Sequence, residues 1–344
     1  MKSKNILSHI KGKSILITGG TGSIGSAIVK ILLNYSPKVI RVLDISENQL
    51  FFLEQQLKNH KNVRFFVGSI TEKERLQRAV KGVDIIFHTA ALKHVPLCEE
   101  NPFEAAKTNV TGTQNVIDVA LENNVSQMVH ISTDKVVNAI NTLGASKLLS
   151  ERLVIAAHNY VGNQKTSFCV VRFGNVIGTK GSLVHLISEQ LQHGERPFIT
   201  DKQMTRFLLT EKQAADFILH ASAMKLDGMI FVPKMPAVRV IDLIQATIDE
   251  LSSRYSFKRV TPQETGIRTG EKMYEELMTE FEFQRCKELD GMYAIPSNLS
   301  TSKVIRKEKI NLSSEFANKL SYDKVRKIVS DVIDDNKKLF HHSK

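Results

Sequence analysis

Ser14–Gly25 reads SILITGGTGSIG. A β-branched run of strand length, Ser14–Thr18, enters three spaced glycines, and a helical pattern over Ile24–Asn34 follows. Strand, glycine loop and helix in that order form the setting in which a glycine triplet carries meaning. Gly19 permits the tight turn, Gly22 lets backbone approach a pyrophosphate, and Gly25 lets the helix pack on the strand. The helix start offers unpaired N–H groups and a partial positive charge to phosphates. Gly19, Thr21, Gly22, Ser23, Ile24 and Gly25 are therefore the candidate dinucleotide contacts.

The same alternation continues outward. Strand-like runs at Val39–Asp44, Val63–Val67, Val83–Thr89, Gln127–Ser132 and Ser167–Arg172 are separated by helical patterns at Glu47–Asn59, Glu72–Val80, Pro102–Asn123 and Leu143–Tyr160. Repeated strand–helix units imply an α/β fold, a Rossmann-type doubly wound parallel sheet. Asp44 ends the second strand about 20 residues past the loop, where a carboxylate accepts from both ribose hydroxyls. NAD is favoured over NADP, because Ile45 and Ser46 supply no arginine for an extra phosphate. Beyond residue 174 glycine and proline break the pattern. The expected division is an NAD-binding Rossmann domain over 1–174 (core 13–174) and a smaller, irregular substrate-binding domain over 175–300, with some segments returning to the core. A basic tail over 301–344 holds a packed helix at Tyr322–Asp334, which stripes Val325, Ile328, Val329, Val332 and Ile333 along one face.

The 344 residues are 42% hydrophobic and 24% charged, the balance of a folded soluble protein. No apolar run approaches the ~18 residues of a membrane span. MKSKNILSHIKGK, the N-terminal stretch, lacks the apolar core of a signal peptide and leads straight into the first strand. Cys98, Cys169 and Cys286 are odd in number and in no CxxC spacing, which fits a reducing compartment; the expected location is the cytoplasm. The net charge is +11, but residues 301–344 carry 11 Lys and Arg against 6 Asp and Glu, so +5 of it sits in the tail. With no Trp to build a stacking platform, nucleic acid is not the expected partner. The 11 histidines form no HxH or HxxxH, and no metal site is expected.

Five further blocks add detail: HTAALKHVPLCEENPFEAAKTNVTGTQNV (88–116), STDKVVNAINTLGASK (132–147), VRFGNVIGTKGS (171–182), MTRFLLT (204–210) and GIRTGEKMYEEL (266–277). Together with GGTGSIG they resemble the extended short-chain dehydrogenase/reductases, and among these the nucleotide-sugar 4,6-dehydratases of the CapD-like polysaccharide-biosynthesis family. The likeness runs over roughly residues 13–296. It implies action on UDP-N-acetylglucosamine, a homo-oligomer, and a form without the membrane helices that precede the catalytic part in some relatives.

Such chemistry oxidises sugar C4, removes the proton at C5, expels the C6 hydroxyl as water and reduces C6, so the cofactor is recycled. It needs a base, an acid and a group at O4. Thr133, Asp134 and Lys135 follow a strand end, where side chains project over the cofactor crevice. By resemblance Asp134 protonates the leaving hydroxyl, Lys135 takes the C5 proton and Thr133 holds O4. An amine serves as base only with a lowered pKa. Lys147 matches the lysine of the superfamily's YxxxK motif, which binds the nicotinamide ribose, yet the tyrosine position is Leu143. Leucine transfers no proton, so Asp134, Lys135 or an ordered water must take the O4 proton. Asn109 is the expected counterpart of the superfamily's active-site asparagine, with capping as its ordinary role. Ala90 and Ala91 allow the fourth strand's end to approach the cofactor, and Ser69 and Ile70 lie by the adenine.

On the substrate side the resemblance assigns Arg268 to the diphosphate, Glu271 to the uridine ribose and Asn175 to the pyrophosphate region. Arg206 offers a second guanidinium fork for the diphosphate. Lys93 and His94 follow a strand end within reach of sugar or phosphate. Two rival readings stand beside this one. A UDP-N-acetylhexosamine 4-epimerase would have no use for Asp134–Lys135. An inactive cofactor-binding or RNA-binding protein on the same scaffold is suggested by Leu143 and the basic tail.

Overall fold

The computed structural model describes residues 2–162, 165–179, 181–255, 257–296 and 312–335. It opens with a helix that the sequence reading does not foresee, α1 (Lys2–Ile10). Ile6 and Ile10, one helical turn apart, are buried, and His9 Nε2 lies 3.1 Å from Gln127 Oε1 and 2.8 Å from Ser222 Oγ. These contacts pin the short helix to the body.

The chain then alternates through β1 (Ser14–Thr18), α2 (Ser23–Leu32), β2 (Val39–Asp44), α3 (Glu47–Gln56), β3 (Val63–Val67), α4 (Lys73–Val80) and β4 (Ile85–His88). Next come α5 (Val95–Glu100), α6 (Pro102–Ala106), α7 (Gly112–Glu122), β5 (Gln127–Thr133), α8 (Thr142–Ala157) and β6 (Ser167–Phe173). The single helix expected over Pro102–Asn123 is interrupted by a π-turn at Lys107–Thr111. There the Thr113 hydroxyl donates to Asn109 O at 2.6 Å, a side-chain competitor for a helix carbonyl.

The second half is irregular and holds β7 (Asn175–Ile177), α9 (Leu183–Gln192), β8 (Phe198–Ile199), β9 (Thr205–Thr210), α10 (Glu211–Ala223), β10 (Met229–Pro233), β11 (Ala237–Arg239) and α11 (Val240–Tyr255). It ends with β12 (Gln263–Glu264), α12 (Glu280–Arg285), β13 (Lys287–Leu289), β14 (Met292–Pro296) and α13 (Tyr322–Asp335). The nine-stranded sheet has the order β13-β14-β10-β6-β5-β4-β1-β2-β3. From β10 to β3 every neighbouring pair is parallel, while β13 and β14 are antiparallel. β1 and β4 are buried along their whole length, as expected of strands covered on both faces. Helix α2 contacts α10, and α1 does too, whereas α7 contacts both α4 and α8, so two helical layers flank the sheet. This is the doubly wound parallel arrangement expected from the sequence.

The chain moves outward from β1 to β2 and β3, then crosses to β4 on β1's other side. The strand order reverses between β1 and β4, and ligands bind such sheets outside the carboxyl ends at that point. A smaller sheet, β11-β9-β7, shares a second core with α9, α11 and α13. On α13 Val325, Val329, Val332 and Ile333 are buried and Ile328 packs beside them. The rest of the tail assigned to 301–344, residues 301–311 and 336–344, lies outside the described residues. Among the described residues no helix is long and apolar enough to cross a membrane. All three cysteines are free and buried.

Candidate active site

Two cavities draw on the segment that follows β4. The first, about 400 Å³, opens at the reversal point between β1 and β4. Gly19 has φ +65°, and a Cβ there would meet Ala90 Cα at 2.6 Å. A Cβ on Gly25 would meet Gly19 O at 2.4 Å, so the turn and the start of α2 close on each other only without side chains. No side chain caps α2, which leaves its first N–H groups directed at the cavity mouth. Thr21, Gly22, Ser23 and Ile24 line the same wall.

Opposite them lie Asp44, Ser69, Ile70, Ala90 and Ala91. Asp44 Oδ2 accepts from Thr21 N at 3.0 Å and from Thr21 Oγ1 at 2.6 Å, and Oδ1 accepts from Ser46 N at 3.1 Å. The carboxylate thus ties the glycine loop to the end of β2 and keeps lone pairs for a diol. Ser69 Oγ is engaged with Thr71 Oγ1 at 2.7 Å. A glycine loop without side chains, an uncapped helix start and a positioned carboxylate fit a nicotinamide dinucleotide. Asn109 does not line this cavity. Its Oδ1 accepts from Leu92 N at 2.8 Å, and its Nδ2 donates to Leu92 O at 3.1 Å and Ser146 Oγ at 3.0 Å. It positions the Ala90–Lys93 wall. Lys93 belongs to the first cavity, and His94 lies against Gly181 instead of lining either one.

The second cavity, about 160 Å³, is lined by Lys135, Asn175, Arg206, Arg268 and Glu271, and by Val95 and Pro96 at the start of α5. Five candidates scattered over the sequence therefore converge. Lys272 Nζ donates to Val137 O at 2.6 Å and Asn141 Nδ2 to Gly270 O at 2.7 Å, which straps the 266–275 arm to the loop after β5. Arg268 stacks its guanidinium 4.6 Å from the Phe198 ring centre. Arg206 is more committed than a diphosphate clamp would be: its terminal nitrogens donate to Thr205 O, Met273 O and Lys272 O at 2.7, 3.2 and 2.8 Å.

Asp134, next to Lys135, is fully buried and does not itself line this cavity. Its Oδ1 accepts from Thr133 Oγ1 at 3.0 Å and from Lys135 Nζ at 3.1 Å, while Oδ2 has no hydrogen-bond partner within the structure. A Cβ on Gly174 would come within 3.0 Å of that oxygen. Glu275, absent from the sequence-derived candidates, completes the group: Oε1 lies 3.3 Å from Lys135 Nζ and 4.0 Å from Arg206 Nε. Burial pulls the Lys135 pKa down, but the carboxylates of Asp134 and Glu275 prevail and hold it above the usual lysine value. The lowered amine that a base requires is thus not the resting state. Burial pushes the Glu275 carboxyl up, further than the facing cations bring it down.

Burial lowers Lys147 to about 8 against the pull of Glu151. Its Nζ donates to Ile131 O at 2.6 Å and lies 3.2 Å from His130 Nε2, so it points at the end of β5 and not along either cavity wall. His88, its ring tilted 36° to that of His130 with ring centres 5.1 Å apart, is lowered to about 3 by burial and by Lys147. Leu143 is buried in an apolar cluster with Cys98, Ala105 and Val95. Among the described residues no group of three His, Cys, Asp or Glu side chains could hold a metal ion.

Residues 15–297 match the family described as polysaccharide biosynthesis protein. The chain belongs to that family. It is 47% identical over 332 residues to an uncharacterized membrane protein of Methanocaldococcus jannaschii, covering 96% of this chain and 98% of that one. A UDP-N-acetylglucosamine 4,6-dehydratase (inverting) of Campylobacter jejuni is 39% identical over 290 residues, 84% of each chain. A UDP-glucose 4-epimerase of Rickettsia typhi is 36% identical over 291 residues, 83% of each. Among solved structures, Pen from Bacillus thuringiensis superposes with a TM-score of 0.88 at 38% identity, covering 94% of this chain and 98% of that one. The family is thus one whose members are named for both dehydration and epimerisation of UDP-sugars.

Proposed function

We propose that the protein is a UDP-N-acetylglucosamine 4,6-dehydratase that uses NAD, with residues 1–174 holding the cofactor and 175–300 supplying most of the sugar-nucleotide contacts. The observation that carries this reading is the acid–amine pair Asp134–Lys135, its acid fully buried and its amine at the wall of a cavity that also presents Asn175, Arg206, Arg268 and Glu271. A nicotinamide dinucleotide in the first cavity would supply the oxidant for C4 and later the reductant for C6. Asp44 at the ribose favours NAD over NADP.

Thr133 holds O4, and Asp134, through its unpartnered Oδ2, takes the O4 proton that Leu143 cannot. Lys135 removes the C5 proton, and Asp134 hands its proton to the C6 hydroxyl, which leaves as water. Lys147 steadies the cofactor end of β5. Arg268 and Glu271 hold the diphosphate and ribose, and Arg206 braces the arm that carries them. The product is a UDP-2-acetamido-2,6-dideoxy-4-keto-hexose for surface polysaccharide or glycan synthesis, made in the cytoplasm by a homo-oligomer.

The test is UDP-N-acetylglucosamine with purified protein in D₂O, with and without added NAD⁺, read by mass spectrometry and proton NMR. Loss of one water, a C6 methyl signal and deuterium at C5 are expected. UDP-sugar 4-epimerisation is the second reading, favoured by an ammonium that two carboxylates hold charged and by the epimerase-named relative. Unchanged mass with a new galacto anomeric signal, persisting in Lys135→Ala, would establish it.

A further inference from the structure

The mechanism above gives Glu275 no task, yet its setting differs from that of a structural buried acid. Glu151 and Glu282 are also buried, and each spends both carboxylate oxygens on Arg172 at 2.8–3.1 Å. Glu275 is 2% exposed, makes one 3.3 Å contact with Lys135 through Oε1, and leaves Oε2 without a hydrogen-bond partner within the structure at the wall of the second cavity. An unsatisfied buried oxygen is costly and calls for an explanation. Lys135 Nζ, wedged between Asp134 Oδ1 at 3.1 Å and Glu275 Oε1 at 3.3 Å, cannot take a proton from carbon while it is an ammonium. One of its protons must first move to a group that stays in the site.

We propose that Glu275 is the proton-holding partner of Lys135, accepting a proton from Nζ across this contact to leave a neutral amine facing the second cavity. It is a positioning residue, acting through Lys135, and its chemical consequence rests on the dehydratase reading. In the transfer an N–H bond breaks, an O–H bond forms, both groups lose their charge, and nothing is oxidised or reduced. The amine then takes the C5 proton, breaking C–H and forming N–H, while the electron pair enters the C4–C5 enolate. The ammonium exchanges its protons with solvent and then delivers one to C5, breaking N–H and forming C–H, and Glu275 gives its own back to the amine. Asp134 was already spoken for by O4 and O6, which leaves Glu275 to serve Lys135. The charged groups facing Glu275 are Lys135 and Asp134 at the end of β5, Arg206 on β9 and Lys272 on its own arm. Arg206 also faces Lys135.

The experiment compares wild type, Glu275→Gln and Glu275→Asp. Deuterium incorporation at C5 is followed from pH 5 to 10, and acetic anhydride labelling of Lys135, read by peptide mass, is followed without substrate from pH 7 to 12, a range that reaches above the usual lysine value. In wild type and Glu275→Asp, incorporation is expected to fall only as the carboxyl itself becomes protonated. In Glu275→Gln the amine must titrate unaided, so the acid limb moves up by more than about 1 pH unit and the rate at pH 7 drops about 10²-fold. The labelling midpoint moves the other way, down in Glu275→Gln, because Lys135 has lost a carboxylate that holds its charge. Opposite movements of the two midpoints are not what a merely structural acid gives. An unchanged acid limb or an unchanged labelling midpoint in Glu275→Gln overturns the proposal. A lowered labelling midpoint in a protein whose wild type dehydrates nothing would keep the Lys135–Glu275 pairing and sink the dehydratase reading instead.

Discussion

Leu143 stands where the wider superfamily carries its proton-transferring tyrosine, and its side chain fills a small apolar cluster with Val95, Cys98 and Ala105. Packing is therefore its work. A Leu143→Met variant conserves volume and chemistry, so its cost should stay below about 1.5 kcal/mol and turnover within about threefold of wild type. Leu143→Tyr would drive a hydroxyl among apolar side chains, at about 1–3 kcal/mol without a partner. Denaturant titration should show that loss, and turnover should not rise. A rise of tenfold or more in Leu143→Tyr would mean that the position reaches the sugar after all. Asp134 illustrates the opposite case: a buried carboxylate with an unpartnered oxygen is poor packing but a usable proton carrier.

At the scale of the element, the join between β1 and α2 is the most constrained piece of backbone in the first cavity. Gly25→Ala would set a methyl 2.4 Å from Gly19 O and 2.7 Å from Gly20 Cα, so helix and loop must separate. The expected outcome is a stability loss of about 1–3 kcal/mol. Calorimetry should also show NAD⁺ affinity weakened by more than tenfold if this join is the phosphate cradle, as proposed. Near-normal affinity would place the cofactor elsewhere. This element was legible in sequence because the strand, the glycines and the helix start lie within a dozen residues, as was Asp44 one unit further on, whereas the close approach of Ala90 to Gly19 was not. The arm 266–275 was legible as a charged block, and its Arg268 and Glu271 line one cavity with Lys135 and Asn175. Glu275 was not legible, because an acid beside Glu276 reads as solvated charge until the fold brings it to Lys135. Helix α1 was missed for the same reason: His9 finds its partners at Gln127 and Ser222, which no local pattern reveals. The π-turn escaped too, since it depends on the Thr113 hydroxyl competing for one carbonyl.

Across the whole molecule, long-range polar contacts bind the regular first half to the irregular second. Arg172 on β6 is buried between Glu151 of α8 and Glu282 of α12 and also donates to Leu277 O at 3.2 Å. Removing the cation alone, as in Arg172→Leu, leaves two buried carboxylates and should cost about 3–5 kcal/mol in denaturant titration. Acid acts on the same body through its histidines. His88 is lowered to about 3 and His9 to about 4, chiefly by burial, and His130 shifts in the same direction for the same cause. A folded-state value below the unfolded 6.5 means that the unfolded chain binds more protons between the two, so stability rises with pH there. The contribution is whole above pH 6.5 and is lost as pH falls toward the folded value. For His88 alone the loss between pH 6.5 and 5 is about 2 kcal/mol, at 1.36 kcal/mol per unit. Glu282, held below its usual range by Arg172, gives up its stabilisation only at lower pH, so histidines govern this window. Glu275, whose carboxyl is pushed up, works in the opposite sense and partly offsets them. The denaturation midpoint should therefore drop from pH 7 to pH 5. In His88→Gln, which keeps an uncharged group between Thr18 and Thr113, the slope over that window should be shallower by about one proton. An unaltered slope in the variant would mean that the protons enter elsewhere and that His88 stays charged or exposed in the folded protein.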